Sequence, residues 1–363
     1  MIRIQNLRMS YRSGGEPVPA IQDVSLDIEP GQFYTLLGPS GCGKTTTLRC
    51  VAGLEEPDTG EITVGNKVVF SSNQGTWVPP YRRNIGMVFQ SYAIWPHMSV
   101  FENVAFPLKN DRSIPQDQVR KRVLDALALV KLDAYADRPA PYLSGGQQQR
   151  LALARALVGE PRVLLLDEPL SNLDAKLREE MRVELRELAK RLNVTTLFVT
   201  HEQLEALTMS DVVAVMRDGK IIQSGTPAEI YSHPRSAFVA KFIGRSNIIP
   251  GRVTERSQAT GEVLVHTDFG QVKCRDGGGG DQVVLAVRPE DVEIVPPGEP
   301  GADNVFEAHV ERSLFFGECV ESFVRVGDVS LQLRLHPEDA PGSGDVIRIR
   351  LPQKRCLALN ADS

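Results

Sequence analysis

Gly38-Pro39-Ser40-Gly41-Cys42-Gly43-Lys44-Thr45 follows directly on the apolar run Phe33 to Leu37 and precedes a helical stretch that ends near Gly53. The octet fits G-x-x-x-x-G-K-[ST] at every fixed position, and strand, loop and helix in that order are the context that gives the pattern its meaning. Glycines let successive backbone N–H groups turn inward around a phosphate, and the helix that follows adds the partial positive charge of its N-terminus. Lys44 then meets the β and γ phosphates as a point charge, the Thr45 hydroxyl is placed to hold Mg²⁺, and Gly38 through Thr46 form the expected nucleotide-binding loop. The loop implies a nucleoside triphosphate. It does not say which machine the nucleotide drives.

Two further stretches narrow the choice. Val163-Leu164-Leu165-Leu166-Asp167-Glu168 is an apolar strand ending in two carboxylates, which puts acidic groups at the carboxyl edge of a parallel sheet, beside the phosphates. Asp167 would organise the Mg²⁺ shell, and Glu168 would orient or deprotonate the attacking water. The bland alternative is a pair of helix-capping acids near Pro169. Leu143-Ser144-Gly145-Gly146-Gln147 lies before that strand and opens a segment, Gln148 to Val158, with helical spacing of Leu151, Ala154 and Leu157. Ser144 suits an N-cap, whereas Gly145 and Gly146 are poor helix formers, and backbone left bare at a helix start suits a second phosphate contact.

The phosphate loop, LSGGQ and VLLLDE in this order resemble the ATP-binding cassette family. The resemblance covers about Ile2 to Phe242 and extends to Gln90 after the strand-like Ile85 to Phe89, to Ser171-Asn172-Leu173-Asp174, and to His201 after Leu197 to Thr200. Asn172 stands where the family more often has alanine. The resemblance implies a P-loop NTPase cassette of α/β class, with a mostly parallel sheet and an inserted helical subdomain over about 91–158. It also implies that Ser144, Gly145, Gly146 and Gln147 of one subunit close over ATP held by the phosphate loop of a second copy, with Asp174 at the seam of that homodimer. By the same resemblance His201 contacts the γ phosphate, Gln90 touches Mg²⁺ or the attacking water, and Tyr11 stacks on adenine. On residues alone His201 could equally mark a helix start, since Thr200 and Gln203 have capping-box spacing, and Tyr11 could be an ordinary edge-strand aromatic. Tyr92 to Met98 would form the contact patch for a coupling helix of a membrane permease, with a packed core position as the alternative for Trp95.

The chain has 363 residues, 42% hydrophobic and 24% charged, which fits a globular protein, and the length favours two domains with room for a third. A net charge of -5 supplies no basic footprint for nucleic acid, so none is expected as a partner. Five widely spaced cysteines without a CxxC pair read as reduced thiols. No apolar run is long enough to span a bilayer and the start lacks a signal peptide, so the expected location is peripheral, on the cytoplasmic face of the cell membrane.

Beyond about Arg245 the texture changes to short alternating runs, such as Leu331, Leu333 and Leu335 or Ile347, Ile349 and Leu351, with loops expected at Gly277 to Gly280 and at Pro296-Pro297-Gly298. The reading is a cassette over 1–242 and a small all-β, OB-like barrel over 243–363, which resembles the accessory domain of importers served by solute-binding proteins. Val287-Arg288-Pro289-Glu290-Asp291 resembles a recurring element of that domain. The expected function is ATP hydrolysis coupled to solute uptake through separate transmembrane permease subunits, with ferric iron or polyamine preferred as cargo and carbohydrate also open. The alternatives are a soluble cassette ATPase acting on nucleic acid or ribosomes, which would show tandem cassettes or coiled-coil insertions, and a regulatory module without turnover, which Glu168 and His201 oppose.

Overall fold

The computed structural model describes residues 1–109, 114–257, 259–296 and 303–361. The chain divides into two compact units, Met1–Pro227 and Ala228–Ser363. In the first unit the order is β1 (Ile2–Ser13), β2 (Glu16–Ile28), β3 (Phe33–Leu37), α1 (Lys44–Ala52), β4 (Thr59–Val64), β5 (Lys67–Ser71), β6 (Thr76–Trp77), β7 (Ile85–Val88), α2 (Val100–Lys109), α3 (Gln116–Leu129), α4 (Gly145–Leu157), β8 (Val163–Asp167), α5 (Ala175–Leu192), β9 (Thr195–Thr200), α6 (Gln203–Met209), β10 (Val212–Arg217) and β11 (Lys220–Gly225).

The strands form two sheets, β2-β1-β4-β5-β6 and β11-β10-β3-β9-β8-β7. The first is antiparallel, and in the second every pairing from β10 to β7 is parallel, with only β11 antiparallel at the edge. Strands β3, β8 and β9 are buried along their whole length, as expected of parallel strands covered on both faces. Their side chains alternate between two cores, because successive residues of a strand point to opposite faces. Phe33, Leu164, Leu166 and Phe198 face a core built with the helices, while Tyr34, Leu36, Val163, Leu165, Leu197 and Val199 face a core shared with the antiparallel sheet and α1. Each fully buried side chain of this size contributes roughly 1.5 to 3 kcal/mol. The central strands thus hold the loops at their carboxyl ends on a rigid floor.

Helices α2, α3 and α4 pack through Val104, Val123, Leu127 and Leu151 in the first of those cores. Helix α4 begins three residues earlier than propensity suggests, at Gly145. The reason is local. Ser144 and Gln147 make a reciprocal capping box, worth about 1 kcal/mol, and a Cβ on Gly146 would stand 2.9 Å from Cδ2 of Leu177 on α5.

The second unit follows Pro227, the first residue of α7 (Pro227–Ser232), and continues through α8 (Ala237–Phe242). Strands Asn247–Ser257, Glu262–Thr267, Gly270–Asp276, Leu357–Asn360 and Gln282–Val287 close a barrel, and the chain's last described strand closes it by pairing parallel to Gly270–Asp276. The unit is more than a barrel. A second sheet, ordered Glu293–Val295, Val346–Arg350, Val305–Phe315, Val320–Val326 and Val329–Leu335, shares its core, with Leu331, Leu333 and Ile349 inside as their alternation predicts. Gly277 to Gly280 lie outside any strand, and of the other expected loop only Pro296 falls within the described residues.

Candidate active site

The phosphate loop connects the carboxyl end of β3 to α1. Gly43 is the N-cap of α1 with φ 100 and makes no side-chain cap bond, so the helix presents bare N–H groups at its start. A Cβ at Gly43 would stand 2.4 Å from the Ala20 carbonyl oxygen, and one at Gly38 would stand 2.4 Å from that of Met216, so neither position accepts a larger residue. Lys44 is buried, and its ammonium donates to the carbonyls of Gly38 at 2.8 Å and Pro39 at 3.0 Å. Cys42 Sγ lies 3.8 Å from the same ammonium.

Across from α1, the Thr45 hydroxyl donates to Oδ1 of Asp167 at 2.9 Å. Burial pushes the Asp167 carboxyl up, with the Thr45 hydrogen bond and Arg49 opposing it. A hydroxyl and a carboxylate oxygen side by side, one of them buried, are the hard oxygen donors that suit Mg²⁺.

Glu168 takes the left-handed backbone, φ 44, which costs a residue with a Cβ about 1 to 2 kcal/mol. The turn is secured at both ends: its N–H donates to the Val199 carbonyl at 3.0 Å, and its own carbonyl accepts from the Ser171 hydroxyl at 2.9 Å. Its carboxylate oxygen Oε2 receives Nε2 of Gln90 at 3.2 Å and stands 3.1 Å from Nδ1 of His201. The arrangement is a carboxylate oriented by a carboxamide and an imidazole at the carboxyl ends of three adjacent strands, β7, β8 and β9.

Among the sequence candidates, Tyr11 also reaches this area, its hydroxyl 3.5 Å from Thr46 Oγ1. Ser144, Gly145, Gly146 and Gln147 are not joined to this chain of hydrogen bonds among the described residues; they begin α4, as above. Asp174 likewise caps α5, accepting from the Leu177 N–H at 3.0 Å. The capping-box spacing of Thr200 and Gln203 is not used as such: Glu202 is the N-cap of α6, and the Thr200 hydroxyl donates to Glu205 at 2.6 Å. Tyr92, expected on a contact patch, is buried in the core, whereas Trp95 is half-buried, its ring 4.4 Å from that of Phe106. Trp95, Phe106, Ala93, Tyr81 and Arg155 line a cavity of about 740 Å³.

Sequence reading missed two supports. Asn172 donates to the Gln90 carbonyl at 2.8 Å, and Arg155 donates to the carbonyls of Ala93 and Tyr92 at 2.6 and 2.5 Å. Asn172 was visible only as the departure from alanine.

Comparison with known proteins gives the family of the chain. Residues 21–171 match the family described as ABC transporter, and residues 285–359 match the TOBE domain. A spermidine/putrescine import ATP-binding protein, PotA, of Clostridium novyi (strain NT) is 47% identical over 330 residues, covering 90% of this chain and 89% of that protein. The trehalose/maltose import ATP-binding protein MalK of Thermococcus litoralis is 45% identical over 332 residues, covering 86% of each. Among solved structures, an ATP-binding cassette described as a dimer in a post-hydrolysis state bound to ADP and Pi matches with a TM-score of 0.55 and 31% identity, covering 62% of this chain and 99% of that one. The chain belongs to the ATP-binding cassette transporter family. Within it, the chain is an ATP-binding and ATP-hydrolysing subunit of an importer, with a cassette followed by an accessory β domain. Among the described residues no helix is long and apolar enough to cross a membrane.

Proposed function

We propose that this subunit powers a polyamine importer, acting as a pair of identical copies on the cytoplasmic face of a membrane permease that receives its cargo from a solute-binding protein. The observation that carries the cargo reading is the 47% identity, over nearly the whole of both chains, to a protein named for spermidine/putrescine import. The sugar reading keeps a place through the 45% identity to the trehalose/maltose protein; neither of these two relatives is named for ferric iron.

In the proposed cycle Lys44 exchanges its bonds to the Gly38 and Pro39 carbonyls for phosphate oxygens of ATP, and the bare N–H groups at the start of α1 take the rest of the negative charge. Tyr11 flanks the adenine. Thr45 and Asp167, with Gln90 near, would hold Mg²⁺, which would neutralise charge on the phosphates. Glu168, oriented by Gln90 and His201, accepts a proton from water as the water oxygen bonds to the γ phosphorus and the bond to the bridging oxygen breaks, releasing ADP and phosphate. Ser144 to Gln147 of the second copy close the site, with Asp174 at the seam. The cavity beside Trp95 and Phe106 receives an element of the permease.

The test is uptake in cells that lack their own copy of the subunit, supplied with this chain or with Lys44→Ala. Labelled spermidine and putrescine should accumulate only with the parent. Restored maltose uptake without polyamine uptake overturns the cargo reading while leaving the ATPase intact.

A further inference from the structure

Tyr92 and Ala93 both take the left-handed backbone, φ 61 and φ 46, a conformation that residues with a Cβ hold only when their surroundings impose it. Their carbonyls therefore point the same way, and the guanidinium of Arg155 spans them, one terminal nitrogen to each oxygen at 2.5 and 2.6 Å. A planar fork matches two parallel acceptors; a single ammonium does not. The central carbon of the same guanidinium lies over the Trp95 ring, 4.6 Å from its centre.

Two residues before this turn, Gln90 reaches Glu168 through its side chain and is gripped through its carbonyl by Asn172. The segment Gln90 to Ala93 is thus pinned from two sides, by Asn172 ahead of α5 and by Arg155 on α4. Helix α4 is the one that Ser144 to Gln147 begin.

We propose that Arg155 is a positioning residue for ATP hydrolysis: by clamping the left-handed Tyr92–Ala93 turn it holds the Gln90 carboxamide against Glu168. It links α4, and with it Ser144 to Gln147, to the orientation of the hydrolytic carboxylate, and its stack on Trp95 links both to the cavity beside that ring. The inference rests on the reading of Gln90 and Glu168 as site residues.

The test is a double-mutant cycle on the full chain, with kcat and KM for MgATP measured on the parent, Gln90→Ala, Arg155→Lys and the double variant. Arg155→Lys keeps the charge and the stem but loses the fork. It should lower kcat by about tenfold and leave KM within about twofold, and in the Gln90→Ala background it should have no further effect, because residues acting as one unit are non-additive. An equal fold-loss in both backgrounds, a raised KM with kcat kept, or no loss at all overturns the proposal. Unchanged kcat in Gln90→Ala overturns the underlying reading of Gln90, a result that does not depend on Arg155. Thermal unfolding accompanies each protein, and Arg155→Gln, read by the same criteria, replaces a lysine variant that does not fold.

Discussion

Nδ1 of His201 stands 3.1 Å from Oε2 of Glu168, the same oxygen that Gln90 approaches from the other side at 3.2 Å. The carboxylate is thereby held from two neighbouring strands, and its orientation does not depend on its own rotamer alone. His201→Ala removes one of the two supports and the proposed γ-phosphate contact. Turnover should fall by about 10²-fold while ATP affinity changes little, because the phosphate loop is untouched. Steady-state kinetics with equilibrium nucleotide binding separates the two effects.

Cys42 sits inside the phosphate loop, buried, with its thiol pushed up by burial and only partly drawn back by Lys44. Because the thiolate is the reactive form, alkylation should be slower than for a free cysteine and should quicken as pH rises past the ordinary thiol range. Modification should abolish hydrolysis, and MgATP should protect. Mass spectrometry of the Cys42 peptide at two pH values, with and without nucleotide, checks the labelling rate and the protection, and ATP turnover of the labelled protein checks the loss of hydrolysis; equal labelling with and without MgATP removes Cys42 from the site.

The composite site predicts complementation. Lys44→Ala spoils a phosphate loop and Ser144→Arg places bulk and charge at the start of α4, so neither protein should hydrolyse ATP alone. In a mixed pair, the intact loop of the Ser144→Arg copy faces the intact Ser144 of the Lys44→Ala copy. Mixing the two should restore turnover. A mixture as inactive as its parts counts against sharing of the site.

Asp211 offers a test of the fold. Burial by itself would raise its carboxyl, but hydrogen bonds from Arg186 and from the Phe33 N–H outweigh burial and hold it below the ordinary carboxylate value. A depressed folded value means that stability is present above the unfolded pKa and is lost as pH falls through the folded one. Asp211→Asn should therefore cost about 1 kcal/mol at neutral pH, kept small by solvent screening of a partly exposed pair. The gap from the parent should close below about pH 4. Urea unfolding at several pH values measures it.

What was legible in the sequence follows the range of the signal. Strand β3 runs from Phe33 to Leu37 as its apolar run suggests, because a buried parallel strand and its motif are written in adjacent residues. Lys44, Asp167 and Glu168 could be singled out because each ends or follows such a strand, whereas His201 rested on the family resemblance, its own neighbours allowing a plain helix start. The fork of Arg155 onto residues 62 and 63 positions away, and the Asn172 bond to Gln90 82 positions away, leave no local pattern. The left-handed backbone of Glu168 was equally hidden, since nothing in its residue type requires it. In the second unit, alternation showed that strands exist, but closure by Leu357–Asn360 depends on pairing between distant segments, which periodicity does not encode.

The most direct measurement is turnover and MgATP affinity of Glu168→Gln, which keeps size and hydrogen bonding but loses the basic charge. The predicted result is a kcat lower by about 10²- to 10⁴-fold with affinity within a few-fold of the parent. Parent-level hydrolysis by Glu168→Gln would contradict the assignment of Glu168 as the group that activates water.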